Sequence, residues 1–189
     1  MEKNLQAYIK VYHNQFSKEL CEQTIKELND AQWQQHTFNN YVSGTDFVKS
    51  GDKELDISWV ETTTRPELMK QVWNGINQYI TKDFAFDWFN QWAGHTGIRF
   101  NRYKETRKMH EHCDHIHSMF DGERKGIPSL SLVGVLNDDY EGGEFVMFQD
   151  EVIPLKQGDL LIFPSNFMYP HRVEPVTKGT RDTLVSWAW

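Results

Sequence analysis

Met109-His110-Glu111-His112-Cys113-Asp114-His115-Ile116-His117-Ser118 packs four histidines and two acids into ten positions. Read as a helix, His110-Glu111 would begin the His-Glu-x-x-His pattern of zinc proteases, but position 114 is Asp and the pattern fails there. Read as a strand, the same residues make sense, because positions i and i+2 of an extended chain point to one side. His112 and Asp114 then face the same way. Short apolar and β-branched runs separated by turn residues surround this stretch from Gly97 onward. They predict strands over 98–103, 109–114, 130–136, 144–148, 151–154, 159–163, 171–176 and 180–187, with turns at 138–143 and 157–159. Eight strands is the count of a double-sheet jelly roll.

The first half reads as support for that sheet. Residues 7–12 alternate well enough for a short strand. Ser17 offers an N-cap to a helix over 18–28, whose Leu20, Cys21, Thr24, Ile25 and Leu28 share one face. Cys21 is thereby a small core residue, with nothing nearby to activate its thiol. The pattern dissolves from Trp33 to Glu54 into a long loop, a lid or binding segment by its length. Asp56 to Val60 predicts a strand. Thr64-Arg65-Pro66 then opens a second helix with Leu68, Met69, Val72, Trp73, Ile76, Tyr79 and Ile80 on its apolar face. The aromatic run from Phe84 to Trp92 is expected to plug the gap between helices and sheet. The fold class expected is therefore α+β, mainly β: a jelly roll over 97–189 with helical support and a lid loop over 1–96, in a single domain.

Composition narrows the function. The 189 residues carry 20 basic and 27 acidic side chains, a formal charge of −7 that repels nucleic-acid phosphates on average. Two cysteines, Cys21 and Cys113, form no spaced framework, the N-terminus lacks a basic-then-apolar leader, and no long apolar run offers a membrane span. A reduced, cytoplasmic protein is expected. Seven Trp and twelve Phe are read mainly as core.

His112 and Asp114 cannot complete a metal site alone, and a third ligand stands at His171 in Met168-Tyr-Pro-His-Arg-Val-Glu-Pro-Val176. Two imidazoles and one carboxylate take one face of a six-coordinate ion and leave the other positions open, which is the ligand set of non-haem Fe(II) oxygenases. The plain alternative is a solvated, His-rich loop with adventitious metal affinity. His110 shares the strand parity of His112 and is expected to be structural or solvent-facing. His115 and His117 fall in the following loop and Cys113 points to the opposite side of the strand, so none of the three is expected to bind metal.

From Arg99 to Trp187 the chain resembles the prolyl 4-hydroxylase type of 2-oxoglutarate and Fe(II)-dependent dioxygenase. The resemblance is carried by Arg102-Tyr103, His112-x-Asp114, Leu136-Asn137, Tyr140-x-Gly142-Gly143-Glu144 with Phe148, Gly158-Asp159-Leu-Leu-Ile-Phe163, His171-Arg-Val173-x-Pro175-Val176, Gly179-Thr-Arg181 and Trp187. It implies a double-stranded β-helix (cupin-like jelly roll), in agreement with the strand count. It also implies Fe(II) on His112, Asp114 and His171, and 2-oxoglutarate held at its far carboxylate by Arg181, ten positions after His171. A guanidinium suits that task because it makes paired charge-assisted hydrogen bonds and stays protonated. Tyr103 is implied as a second partner of that carboxylate, and alternation puts Arg99 and Asn101 on its side of the strand. Thr183, Val185 and Trp187 share the inner face with Arg181, Trp187 matching the family's tryptophan near the metal. Ser131, Val133 and Val135 are expected to face the cosubstrate, Val135 standing where some relatives have a tyrosine.

The activity implied is hydroxylation of an unactivated C–H bond with O2 as cosubstrate and ascorbate as a candidate reductant, forming succinate and CO2. The favoured substrate is a prolyl residue in a peptide or protein, approached through the Phe38–Glu54 and Ile116–Ile127 loops. A free amino acid or other small molecule, a catalytically silent jelly roll and a cupin-like protein using another ion are the competing readings. Nucleic acid and membrane are not expected as partners.

Overall fold

The alternating runs of the second half become facing sheets in a computed structural model that describes residues 4–40, 43–47, 51–88, 92–114 and 128–189. In chain order the strands are β1 (Lys10–Tyr12), β2 (Gln34–Gln35), β3 (Phe38–Asn40), β4 (Thr45–Phe47), β5 (Asp56–Ser58), β6 (Arg99–Tyr103), β7 (Met109–His112), β8 (Leu130–Val135), β9 (Glu141–Gly142), β10 (Phe145–Met147), β11 (Glu151–Ile153), β12 (Leu160–Pro164), β13 (His171–Val173), β14 (Val176–Lys178) and β15 (Arg181–Ala188). The α-helices are α1 (Lys18–Leu28) and α2 (Arg65–Gln78). Among the described residues, a seven-stranded antiparallel sheet runs β1-β12-β8-β15-β6-β5-β2, and a four-stranded sheet runs β11-β10-β13-β7. This is the mainly β jelly-roll architecture that the strand count predicts.

Both helices lie on the outer face of the larger sheet. Ser17 caps α1 as expected, its Oγ accepting from the Leu20 N–H at 3.2 Å. Cys21 and Leu28 of α1 and Leu68, Val72 and Ile76 of α2 pack with Phe16, Phe100, Leu132, Leu160, Ile162 and Leu184. Each large apolar side chain buried here stabilises the fold by roughly 1.5–3 kcal/mol. Two glycines permit the close approach: a Cβ on Gly75 would stand 2.5 Å from Leu160, and one on Gly134 would stand 2.7 Å from Phe16. A second apolar cluster fills the space between the sheets, with Val133, Phe145, Met147, Leu161, Phe163, Val173, Val185 and Trp187.

Several expectations for the first half are corrected. Residues 7–12 are not one strand: Leu5–Tyr8 is a 3-10 turn capped by Asn4, and pairing to β12 begins at Lys10. The 33–54 segment is not a structureless loop, because β2 joins the large sheet and β3 pairs with β4 as a hairpin. Its polar alternation gives no apolar signal, since β4 is exposed along its length. Trp73 is 42% exposed and stacks beside His95, as its place next to Val72 turns it off the buried stripe. Trp88 is 72% exposed, so the aromatic run is only in part a plug. β7 stops at His112, and the strand predicted over 171–176 is interrupted between β13 and β14. Among the described residues, no helix is long and apolar enough to cross a membrane.

Candidate metal and cosubstrate centre

Cross-strand register builds the metal pole. His171 opens β13 and pairs directly with His112 at the end of β7, bringing their rings to 4.4 Å between centroids. Each ring is turned by a backbone carbonyl: His112 Nδ1 lies 2.7 Å from the His110 oxygen, and His171 Nδ1 lies 3.1 Å from the Tyr169 oxygen. With each Nδ1–H donated to that carbonyl, the Nε2 atoms would be the ones to bind a metal, and His112 Nε2 is the atom turned to hydrogen-bond Asp114. They converge on Asp114, whose Oδ1 is 3.4 Å from His112 Nε2 and 3.9 Å from His171 Nε2. Two donors about 2.1 Å from one ion stand at most about 4.2 Å apart, so these separations suit a shared ion. Among the described residues, this is the group of three or more metal-binding side chains whose donor atoms lie together, all within 4.8 Å of one another.

The surroundings favour the ionised carboxylate of Asp114 and the neutral ring of His171. The Trp187 indole N–H donates to Asp114 Oδ2 at 2.9 Å, leaving Oδ1 toward the imidazoles. Burial pushes the Asp114 carboxyl up, but the His112 hydrogen bond, the nearby His171 and the Trp187 N–H together hold it well below the usual carboxylate range. Burial, with repulsion from His112, lowers His171 to about 4. Phe145 stacks on the His171 ring at 5.3 Å and Phe163 meets it edge-on at 5.0 Å, while Phe38 of the hairpin stands edge-on to His112 at 6.0 Å.

At the other pole lies Arg181, 1% exposed and paired across the sheet with Tyr103. Its guanidinium carbon sits 5.0 Å from the Tyr103 ring centre. Arg181 Nε and the Thr183 hydroxyl are buried here without a hydrogen-bond partner among the described residues, whereas Ser131, expected to face the cosubstrate, pairs with Trp187 at the opposite end of the sheet and does not line the cavity. Unpartnered buried polar atoms cost about 1–3 kcal/mol each, so this cluster is a place shaped for an anionic ligand with several acceptors. Burial raises the Tyr103 phenol, partly offset by Arg181 and by a hydrogen bond with Asn101. The residues present thus fit a metal at one end and a dicarboxylate at the other.

One cavity joins the two poles and is lined by Tyr103, His112, Asp114, Val133, His171, Arg181, Thr183, Val185 and Trp187 of the expected residues. Val135 is fully buried but is not part of the lining; its backbone pairs with Gly158 and Asp159 at the turn end of the sheet. His110 contributes a carbonyl to orient His112, and Cys113 donates its Sγ to the Phe167 carbonyl at 3.4 Å. His115, His117 and the Ile116–Ile127 loop lie outside the described residues. Arg99, Asn101, Met109, Phe145 and Val173 also line the cavity, and the sequence reading gave them no role. For Arg99 the period of two counted back from Tyr103 was the available signal. Burial lowers the Arg99 guanidinium while the Asp114 charge pulls it back up.

Comparison with known proteins agrees with this geometry. Residues 98–189 match the family model of the 2OG-Fe(II) oxygenase superfamily. A PKHD-type hydroxylase of Idiomarina loihiensis is 36% identical over 93 residues, covering 48% of this chain and 40% of that protein. A PKHD-type hydroxylase of Aliarcobacter butzleri is 39% identical over 97 residues, covering 48% and 41%. The chain thus spans about two-fifths of the length of these curated relatives. Among solved structures, a Pseudomonas putida prolyl-4-hydroxylase superposes with a TM-score of 0.66 at 17% identity, covering 96% of this chain and 91% of that one. A Trichoplax adhaerens prolyl hydroxylase, solved with a peptide fragment of the hypoxia inducible factor oxygen degradation domain, gives 0.71 at 14% identity, covering 97% and 84%. These likenesses establish the jelly-roll fold, and residues 98–189 are similar in sequence to the 2OG-Fe(II) oxygenase superfamily and its PKHD-type hydroxylases. That family implies Fe(II), 2-oxoglutarate and O2 as cofactor and cosubstrates.

Proposed function

We propose that this protein is a 2-oxoglutarate- and Fe(II)-dependent dioxygenase that hydroxylates a C–H bond, with a prolyl residue of a peptide or protein as its substrate. The observation that carries the reading is the joining, in one cavity, of the His112–Asp114–His171 donor set to a buried guanidinium, Arg181, that has no carboxylate partner among the described residues. A silent jelly roll gains nothing from that uncompensated charge.

When bound, Fe(II) with 2-oxoglutarate supplies the oxidising chemistry: one atom of O2 enters the substrate as hydroxyl and the other enters succinate, with release of CO2. The protein's part is positional. His112, Asp114 and His171 would hold the ion, and the Trp187 N–H, donated to Asp114 Oδ2, keeps Oδ1 turned toward the two imidazoles. Arg181 receives the far carboxylate through paired charge-assisted hydrogen bonds, and Tyr103 and Thr183 supply hydroxyls along the same inner face. Phe145 and Phe163 exclude water behind His171. The prolyl substrate is supported by the names of the structural neighbours, and the β3–β4 hairpin beside His112 is the wall along which a peptide would lie.

Anaerobic apo-protein loaded with Fe(II) and 2-oxoglutarate, exposed to O2 and assayed for succinate with and without proline-containing peptides, tests the reading. Asp114→Ala is expected to lose iron retention and coupled turnover by more than the roughly 10–100-fold that loss of an outer-shell partner costs. Full activity with tight iron binding in that variant would overturn it.

A further inference from the structure

β6 carries two arginines with opposite surroundings. Arg102 faces the helices and meets Asp182 through two hydrogen bonds of 2.8 Å. Arg99 faces the cavity, where its Nε donates to Asn101 Oδ1 at 3.0 Å and its guanidinium carbon lies 5.1 Å from the Trp187 ring centre. No carboxylate pairs with it among the described residues. Asn101 and the indole fix the stem and one face of the guanidinium, and no described residue takes its two terminal nitrogens.

Charge accounting makes this position informative. With the site filled as proposed above, the metal's two charges are met by Asp114 and the near carboxylate of 2-oxoglutarate, and Arg181 is met by the far one. Among the described charged residues lining the cavity, Arg99 is then left without a counter-charge of its own, the Asp114 charge that acts on it being shared with the metal. The net acidity of the chain does not supply one, because exposed charges beyond roughly 8 Å are largely screened at physiological salt. We propose that Arg99 is a specificity-determining residue that binds a carboxylate of the substrate, so that preferred substrates carry a carboxylate close to the C–H bond to be hydroxylated. The inference rests on the dioxygenase reading. Two sources share this chemistry: the α-carboxylate of a free or chain-terminal proline, and an Asp or Glu side chain next to an internal prolyl residue.

The probes are L-proline and its amide, Ala-Ala-Pro as acid and as C-terminal amide, and the doubly capped peptides acetyl-Ala-Asp-Pro-Ala-amide and acetyl-Ala-Ala-Pro-Ala-amide. Binding is measured anaerobically by calorimetry on the whole protein loaded with Mn(II) and 2-oxoglutarate, and succinate formation is measured separately with Fe(II). The expected result is an acid preference of about tenfold or more in one pair, identifying the source of the carboxylate. Arg99→Gln erases that preference, Arg99→Lys restores part of it, and affinity for 2-oxoglutarate stays within about twofold in both, as expected for a residue at the far end of the cavity from Arg181. Equal binding of acid and neutral probes, no binding of any acid probe, or a preference that survives Arg99→Gln would each overturn the proposal. Loss of 2-oxoglutarate affinity in Arg99→Gln would also overturn it, making Arg99 a support for Trp187. Failure of the wild type to bind 2-oxoglutarate with metal would instead sink the underlying dioxygenase reading.

Discussion

The two faces of β15 treat polar atoms in opposite ways. Outward, Asp182 is held by Arg102, Ser186 Oγ donates to the Thr96 carbonyl at 2.9 Å, and Leu184 and Ala188 lie in the apolar layer under the helices. Inward, Arg181 and Thr183 are as deeply buried, yet each keeps a polar atom without a partner. The outer face does the folding and the inner face holds a cost that a ligand would remove. Stability and chemistry are thus separated by one side-chain alternation, and ligand binding should add to a fold already secured from outside.

Neighbouring residues on that strand allow the contrast to be broken directly. Arg181→Met is expected to weaken 2-oxoglutarate binding by roughly 10²–10⁴-fold, the loss of two charge-assisted hydrogen bonds of about 1.5–3 kcal/mol each. The ligand-free variant should melt no lower than wild type, since replacing a buried unpaired ion by an apolar chain of similar size removes a desolvation cost. Calorimetry and thermal unfolding read both halves; a ligand-free variant that is strongly destabilised would erase the distinction between faces. Asp182→Ala should behave the other way. It strands Arg102 beneath Trp33 without its carboxylate and is expected to cost about 3–5 kcal/mol in urea unfolding, while the protein that remains folded keeps its 2-oxoglutarate affinity.

Acid sharpens the same comparison with a smaller effect. His171 titrates near 6.5 when unfolded and is lowered to about 4 in the fold, chiefly by burial. The folded state therefore favours the neutral ring, and its contribution is complete above pH 6.5 and lost as pH falls toward 4. Metal-free protein should lose roughly 3 kcal/mol across that window. Urea titrations at several pH values should show this slope in wild type and a flatter one in His171→Gln. An unchanged slope in the variant would assign the acid sensitivity elsewhere.

The readable part of this molecule was the part with periodic burial. β6, β8, β12 and β15 are buried along most of their length and announced themselves as apolar or alternating runs, and Ser17 marked the start of α1 by its capping chemistry. The β3–β4 hairpin was hidden because exposed strands place no apolar demand on sequence, and Trp73 was misplaced because a run of apolar letters did not show which lay just off the buried stripe. Val135 shares the parity of Val133 but not the cavity, since parity gives a face and not a depth along the strand.

By itself the sequence determined the residue types and their order: His112 two positions before Asp114, His171 and Arg181 ten apart, and Arg99 on the inner parity of its strand. Those facts, read with the family resemblance, are what the proposed ligand set and carboxylate partner rest on. Only the tertiary structure decided that His171 lies across from His112, that Trp187 reaches Asp114, and that among the described residues Arg99 pairs with no carboxylate while Arg102 does. These are pairings between strands distant in the chain, set by register and by which sheet covers which face. Local pattern carries no information about register, since the same alternation can be satisfied against any neighbour whose apolar side faces the core.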